Sequence, residues 1–169
     1  MMTFFVTISV VVAVIFCYVT GVFLLSLAFR RNDVADVAWG MGIVLVGAVG
    51  YLLQVGPTER MQLLFLLVLL WGIRLSVRIF LRNRKKGEDA RYRTWREEWG
   101  KHVVLRSYIQ VYLLQGALMI VVGYPLLHAS IFGTQEQLGY LAILGVVIWT
   151  VGFIFEVVGD YQLDHFINA

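Results

Sequence analysis

Apolar residues in this chain come in five long runs, and the polar residues collect between them. Met1–Phe29 carries no charge, and further runs cover about Val34–Val55, Met61–Leu81, Ser107–Leu127 and Leu138–Val158. Each is close to the roughly 20 residues that a hydrocarbon core about 30 Å thick demands of a helix. Lipid offers no partner to a bare backbone N–H or C=O, so a spanning segment must be a helix or part of a closed barrel. The short alternating segments of a barrel are missing, so the pattern predicts an all-α, polytopic transmembrane helix bundle. The first run begins Met-Met-Thr-Phe-Phe, without a basic start, and is expected to stay in place as a helix instead of being cleaved as a signal.

A sixth, shorter helix is expected between the third and fourth runs. Tyr92, Trp95 and Trp99 fall at i, i+3 and i+7 beside Arg91, Arg93 and Arg96. That pattern suits a helix lying in the membrane interface, its aromatic face either an anchor or turned to a ligand. Ala38/Gly42 and Gly72/Ser76 are small pairs four apart that would let helices approach. Gly56-Pro57 marks a turn, and no internal repeat or Pro/Ser-rich linker divides the chain, so residues 1–169 read as one transmembrane domain.

Composition agrees. Of 169 residues 60% are hydrophobic and 15% charged, against about 45–50% and about 25% in soluble domains. A compact soluble domain and a disordered chain are both excluded. The net charge of +3 comes from 14 basic and 11 acidic residues, and nine of the basic ones lie between Arg82 and Arg106. Beside membrane spans, such a segment reads as a loop near anionic lipid, not as a nucleic-acid surface. The first and third connections hold eleven basic residues and the second and fourth only Arg60. The positive-inside rule then puts the N-terminus outside and the C-terminus and basic loop 82–106 in the cytoplasm, across the inner membrane.

The single cysteine, Cys17, excludes an intrachain disulfide, and His102, His128 and His165 are too scattered to suggest a metal site. Nucleotide-binding glycine motifs and a Ser-His-Asp arrangement are also lacking.

Ionisable residues inside spans are expensive and therefore informative. Five occur here: Asp36, Arg74, Arg78, Glu156 and Asp160. Arg74 and Arg78 share a helix face, as do Glu156 and Asp160, which the run lengths place at the end of the fifth helix. With the orientation above, all five fall in the cytoplasmic leaflet. Snorkelling to the headgroups is one explanation. A cytosol-facing polar pocket is the other, with the arginines neutralising the acids, surplus guanidinium suiting a phosphate, and Gln110, Gln115 and Gln162 extending the network. Asp36 is either a stabilising acid at a helix start or a proton donor.

Several segments, in order, resemble one family: bacterial membrane proteins of unknown function related to steroid 5-alpha-reductases. They are Asp36-Val37-Ala38-Trp39-Gly40, Trp71-Gly72-Ile73-Arg74-Leu75 with Arg78, Arg82-Asn83-Arg84, and Gly87-Glu88-Asp89-Ala90-Arg91-Tyr92. Arg96, Trp99-Gly100, Gln115-Gly116, Pro125, Phe155-Glu156, Asp160-Tyr161-Gln162-Leu163 and Phe166 follow. The resemblance implies an oxidoreductase that takes NADPH from the cytosol and reduces a carbon–carbon double bond of a lipid-like or steroid-like enone. It implies a cofactor site at Glu156 and Asp160, with Arg74, Arg78, Arg91 and Arg96 as phosphate or pocket contacts, and it names no catalytic residue. Trp71 stands where the steroid-reducing members carry a tyrosine, which removes a hydroxyl that could polarise a carbonyl. Relatives also continue into an Arg-His-Pro-Asn-Tyr segment, so the chain is expected to be the N-terminal part of such a domain, without the C-terminal cofactor-binding part and inactive alone. The alternative is a non-enzymatic structural or assembly protein held by an intramembrane ion-pair network.

Overall fold

The computed structural model describes residues 2–84, 87–133 and 138–168, which leaves Lys85 and Lys86 of the basic loop outside the described residues. Among the described residues seven α-helices run in order: α1 (Met2–Phe29), α2 (Val34–Leu53), α3 (Glu59–Asn83), α4 (Ala90–Trp99), α5 (Val103–Ser107), α6 (Leu114–Phe132) and α7 (Tyr140–Asn168). A 3-10 turn at Gly100–His102 joins α4 to α5, and a π-helical stretch at Tyr108–Leu113 joins α5 to α6. The described residues contain no strand, and five helical stretches are long and apolar enough to cross a membrane. The protein is a multi-pass, all-α membrane bundle. The fourth crossing is the end of a continuous helical stretch from Ala90 to Phe132, whose polar beginning is the expected short helix.

The chain divides into two compact units, Met1–Thr134 and Gln135–Ala169. In the first, α2 is the central helix and packs against α1, α3 and α6. Lipid tails are as apolar as leucine, so these contacts rest on close van der Waals fit. The sequence of α2 supplies that fit with Ala35, Ala38, Gly40, Gly42, Gly47 and Gly50, all buried. A Cβ on Gly40 would lie 2.5 Å from the carbonyl oxygen of Gly72 and 2.9 Å from Ser76 Oγ, so α2 and α3 meet backbone to backbone. The small pair Gly72/Ser76 therefore does serve an approach, and its partner is Gly40. Gly42 faces Met119 of α6 instead, and Gly123 of α6 faces Val46. Tyr18 on α1 adds a hydrogen bond to the carbonyl of Ala38 at 2.8 Å. Outward, Phe5, Phe16 and Leu24 of α1, Leu66 and Leu70 of α3, and Val121 and Val122 of α6 are exposed, as a lipid-facing surface requires.

Helix ends follow local chemistry. Thr58 caps α3 by accepting from Met61 N at 3.2 Å. α1 ends in a Schellman turn, with Arg31 N–H on Ser26 O (3.0 Å) and Arg30 N–H on Leu27 O (3.3 Å). Arg30 takes the left-handed conformation there, at φ 54°, where glycine is usual.

The second unit consists of α7, which departs from expectation. It runs to Asn168, ten residues past the expected end of the fifth span, so Glu156 and Asp160 sit inside the helix and do not close it. The apolar run set the expected boundary, whereas a helix persists as long as its backbone ladder is not interrupted, and nothing from Gly159 to Asn168 interrupts it. Asp164 then joins Glu156 and Asp160 on one face, at i, i+4 and i+8.

Gly72→Leu should separate α2 from α3 and lower bundle stability by about 1–3 kcal/mol, the usual cost of overpacking. Gly21→Ala, where a Cβ would meet nothing within 4 Å, should change it by less than about 1 kcal/mol. Thermal unfolding of both variants in one detergent checks the contrast.

Candidate functional site

The polar residues of the first unit gather where α1 and α3 end and α2 begins. The short connection Arg30–Asp33 lies at its centre, and Asn32 and Asp33 are buried, at 4% and 2% exposure. Buried polar groups need partners, and each partner is present. Arg31 forks onto Asp33, with Nε to Oδ1 at 3.0 Å and Nη2 to Oδ2 at 2.7 Å. Its Nη2 also reaches the carbonyl of Asn83 at 3.1 Å, tying the α1–α2 connection to the last turn of α3. Asp33 occupies the N-cap position of α2 but makes no side-chain cap bond, because its carboxylate serves Arg31.

Glu88 is the second hub. Its Oε1 accepts from Asn32 N at 2.7 Å and from Arg96 Nη2 at 2.8 Å, and its Oε2 accepts from Arg96 Nε at 3.2 Å. Arg96 Nη2 also donates to the carbonyl of Arg30 at 3.2 Å, which helps hold that left-handed residue in place. Two contacts close the arrangement from the far side. Asn32 Nδ2 donates to Ser107 Oγ at 2.9 Å, and Tyr112 OH donates to Asn32 O at 3.2 Å.

The π-helical stretch explains how Ser107 and Tyr112 both reach Asn32. Residues five apart on an α-helix diverge by about 140°. The i to i+5 register of a π-helix lays them on one side. The same stretch carries Tyr108, whose hydroxyl lies 3.0 Å from Thr20 Oγ1, and Phe23 packs against both tyrosine rings.

Helix α4 is docked by Asp36. Asp36 Oδ1 accepts from Tyr92 OH at 2.6 Å and Oδ2 from Arg91 Nη2 at 3.1 Å. Asp36 is therefore a tie between α2 and α4 with a hydroxyl donor on it, and it stands, as expected, in the first turn of α2. Asp89 is the N-cap of α4, accepting from Arg91 N at 3.0 Å and from Arg91 Nε at 3.1 Å. The Arg91 guanidinium hydrogen-bonded to Asp89 holds that carboxyl below the usual carboxylate range, so it stays ionised at neutral pH. The aromatic row splits. Tyr92 and Trp99 are buried against the bundle, and Trp95 is 38% exposed, edge-on to Tyr92 and stacked on Trp99. The row is thus mainly a packing face, with Trp95 at its rim.

Arg91 and Arg96, two of the six residues singled out for a cofactor, meet in this network. Both guanidinium groups hold carboxylates, yet their side chains remain 63% and 37% exposed, so outer N–H edges face away from the bundle. Arg74 and Arg78 lie on α3, in the three turns before Asn83. Glu156 and Asp160 lie on α7 in the second unit. Sequence reasoning missed Asn32, Asp33, Glu88, Ser107 and Tyr112. Glu88 left a trace as part of the Gly87–Tyr92 segment, and Asn32-Asp33 did as two polar residues set between a basic pair and an apolar helix. Among the described residues, no three His, Cys, Asp or Glu side chains are placed to hold a metal ion.

Two measurements probe this end. Asp36→Asn and Tyr92→Phe should destabilise the fold by less together than the sum of the singles, with a coupling of about 1–2 kcal/mol in a double-mutant cycle. Arg30→Gly should raise the unfolding temperature, since glycine takes the left-handed conformation without the roughly 1–2 kcal/mol that a Cβ adds.

Comparison with known families adds one finding. A family model described as a protein of unknown function, DUF1295, matches residues 22–169. Neither curated proteins nor solved structures gave a match. The family match runs from within α1 through α7 and includes every residue of the polar network, and on that extent the chain belongs to the DUF1295 family of proteins of unknown function.

Proposed function

We propose that this chain acts in the NADPH-dependent reduction of a double bond conjugated to a carbonyl in a lipid-like molecule. The observation that carries the reading is the gathering of arginines at one end of a bundle that presents apolar side chains elsewhere. A dinucleotide phosphate needs guanidinium N–H groups that remain accessible, and the outer edges of Arg91 and Arg96 meet that need. The order of the sequence segments around Asp36, Arg74, Glu88, Arg91, Glu156 and Asp160 also supports it.

In this reading Arg91 and Arg96 bind phosphate and Arg74 and Arg78 are further pocket contacts, while Glu156 and Asp160 are assigned to the cofactor by the sequence resemblance alone. Bound there, NADPH would supply a hydride for the β-carbon of the enone, with an acid hydrogen-bonded to the carbonyl oxygen and a proton from solvent completing the α-carbon. The basic loop faces the cytosol, where NADPH is found, and the N-terminus lies across the cytoplasmic membrane. The substrate enters from the lipid.

One observation favours a second reading. Asp33, Asp36 and Glu88 each have a cationic or hydroxyl partner already, as a purely structural latch would require. The two readings give different results. For the reductase, millimolar NADPH should raise the unfolding temperature of the full chain in detergent, and Glu156→Gln should shrink that rise. No NADPH-dependent shift would count against the cofactor site. For the latch, Glu88→Arg and Arg96→Glu should each destabilise and should rescue one another when combined, with NADPH making no difference.

A further inference from the structure

A cavity of about 300 Å³ opens between the end of α1, the start of α2 and the end of α3. Its lining is divided. Phe29, Val34, Val37 and Phe80 make an apolar part, and Arg31, Asp33, Asn83 and Arg84 make a polar edge. Phe29 and Phe80 are 65% and 53% exposed, so they stand at the mouth and not in the core. The volume is at the lower end of the range for small-ligand sites, roughly 300–1,000 Å³.

The polar edge carries an imbalance of charge and of hydrogen bonds. Arg31 is neutralised by its fork onto Asp33. Arg84 is the exposed C-cap residue of α3, and among the described residues its side chain makes no ion pair or hydrogen bond. The lining therefore has one net positive charge. Asn83 uses its backbone carbonyl for Arg31 and its Oδ1 for Arg82, at 3.2 Å. Its Nδ2 is shielded from solvent and has no hydrogen-bond partner among the described residues. A buried donor without an acceptor is a cost that native structures rarely leave standing.

Water answers only part of this. It could accept from Asn83, but apolar walls such as Phe29, Val34, Val37 and Phe80 are poor hosts for a chain of waters. The two halves together fit a molecule with an anionic acceptor at one end and hydrocarbon at the other. The cavity also sits where α1 and α3 leave their apolar runs, which is the level of lipid headgroups.

We propose that this cavity binds one anionic phospholipid, with its phosphate held by Arg84, the Asn83 amide turning to bring its shielded Nδ2 onto a phosphate oxygen, and its first acyl carbons lying between Phe29 and Phe80. This site is separate from the Arg91 and Arg96 edges assigned to the dinucleotide. Arg31 sets the field at the site but gives the phosphate no free fork, since Asp33 holds it. The lipid also gives the gap between α1 and α3 an occupant that bridges both helices to α2.

The test uses the full chain in detergent at physiological salt, titrated with phosphatidylglycerol or phosphatidylcholine and read by native mass spectrometry. Phosphatidylglycerol should be retained in a one-to-one complex, and phosphatidylcholine much less. Arg84→Gln should weaken phosphatidylglycerol retention about fivefold, the worth of one basic residue near an anionic headgroup. Asn83→Leu, which removes the orphan donor, should also weaken it. Val37→Trp, which fills the apolar part, should block retention without touching any charge. Lys101→Gln, a charge change on an exposed residue outside the cavity, should leave it unchanged. Equal retention by the wild type and Arg84→Gln, or equal loss in Arg84→Gln and Lys101→Gln, would overturn the proposal in favour of unspecific attraction to the basic loop. Displacement of the lipid by millimolar inorganic phosphate would overturn it too, and would assign the polar edge to a free anion.

Discussion

The backbone contact between Gly40 of α2 and Gly72 of α3 is the constraint on which the first unit turns. Between helices in lipid there is no hydrophobic gain from association, so fit decides which faces meet. With no Cβ at either position, the two backbones close to a distance that any larger residue would prevent. That crossing fixes the direction in which α3 leaves, and so places Asn83 beside the α1–α2 connection, where Arg31 finds its carbonyl. The polar end of the bundle is assembled from there.

Around that end, two carboxylates divide the work. Asp33 is almost fully buried and holds Arg31, and Glu88 holds Arg96 while accepting the backbone N–H of Asn32. A buried carboxylate without its partner would be strongly destabilising, so each pair fixes its neighbours as well as itself. Glu88 thereby fastens the α3–α4 connection onto the α1–α2 connection, and Asp36 fastens α4 onto α2. Rigidity at this end serves a binding site and a latch alike. What separates those roles is the state of the outer guanidinium edges of Arg91 and Arg96, which remain accessible.

Much of the fold was legible from apolar run length. Five spans, the short helix near Tyr92 and a close helix approach at Gly72/Ser76 all appear in the structure. The end of α7 was not legible, because hydropathy marks where lipid contact stops and a helix can continue into polar surroundings. Less of the candidate site could be read. Intramembrane charge drew attention to Arg74, Arg78, Glu156 and Asp160. The network that the structure builds most densely uses Asn32, Glu88 and Ser107, residues that look ordinary in any loop or helix end.

The sequence alone determined that the chain crosses a membrane several times as helices, since an apolar run of that length and an unsolvated backbone leave no other choice. It also determined that cationic charge would concentrate beside the third span. Only the tertiary structure decided which acid each arginine meets, because pairing depends on how helices cross and on a change of register. The i to i+5 register at Tyr108–Leu113, in place of i to i+4, turns Ser107 and Tyr112 onto the same asparagine. No local pattern encodes that, since Asn32 is distant in sequence and is brought near only by the packing of α1, α2 and α6.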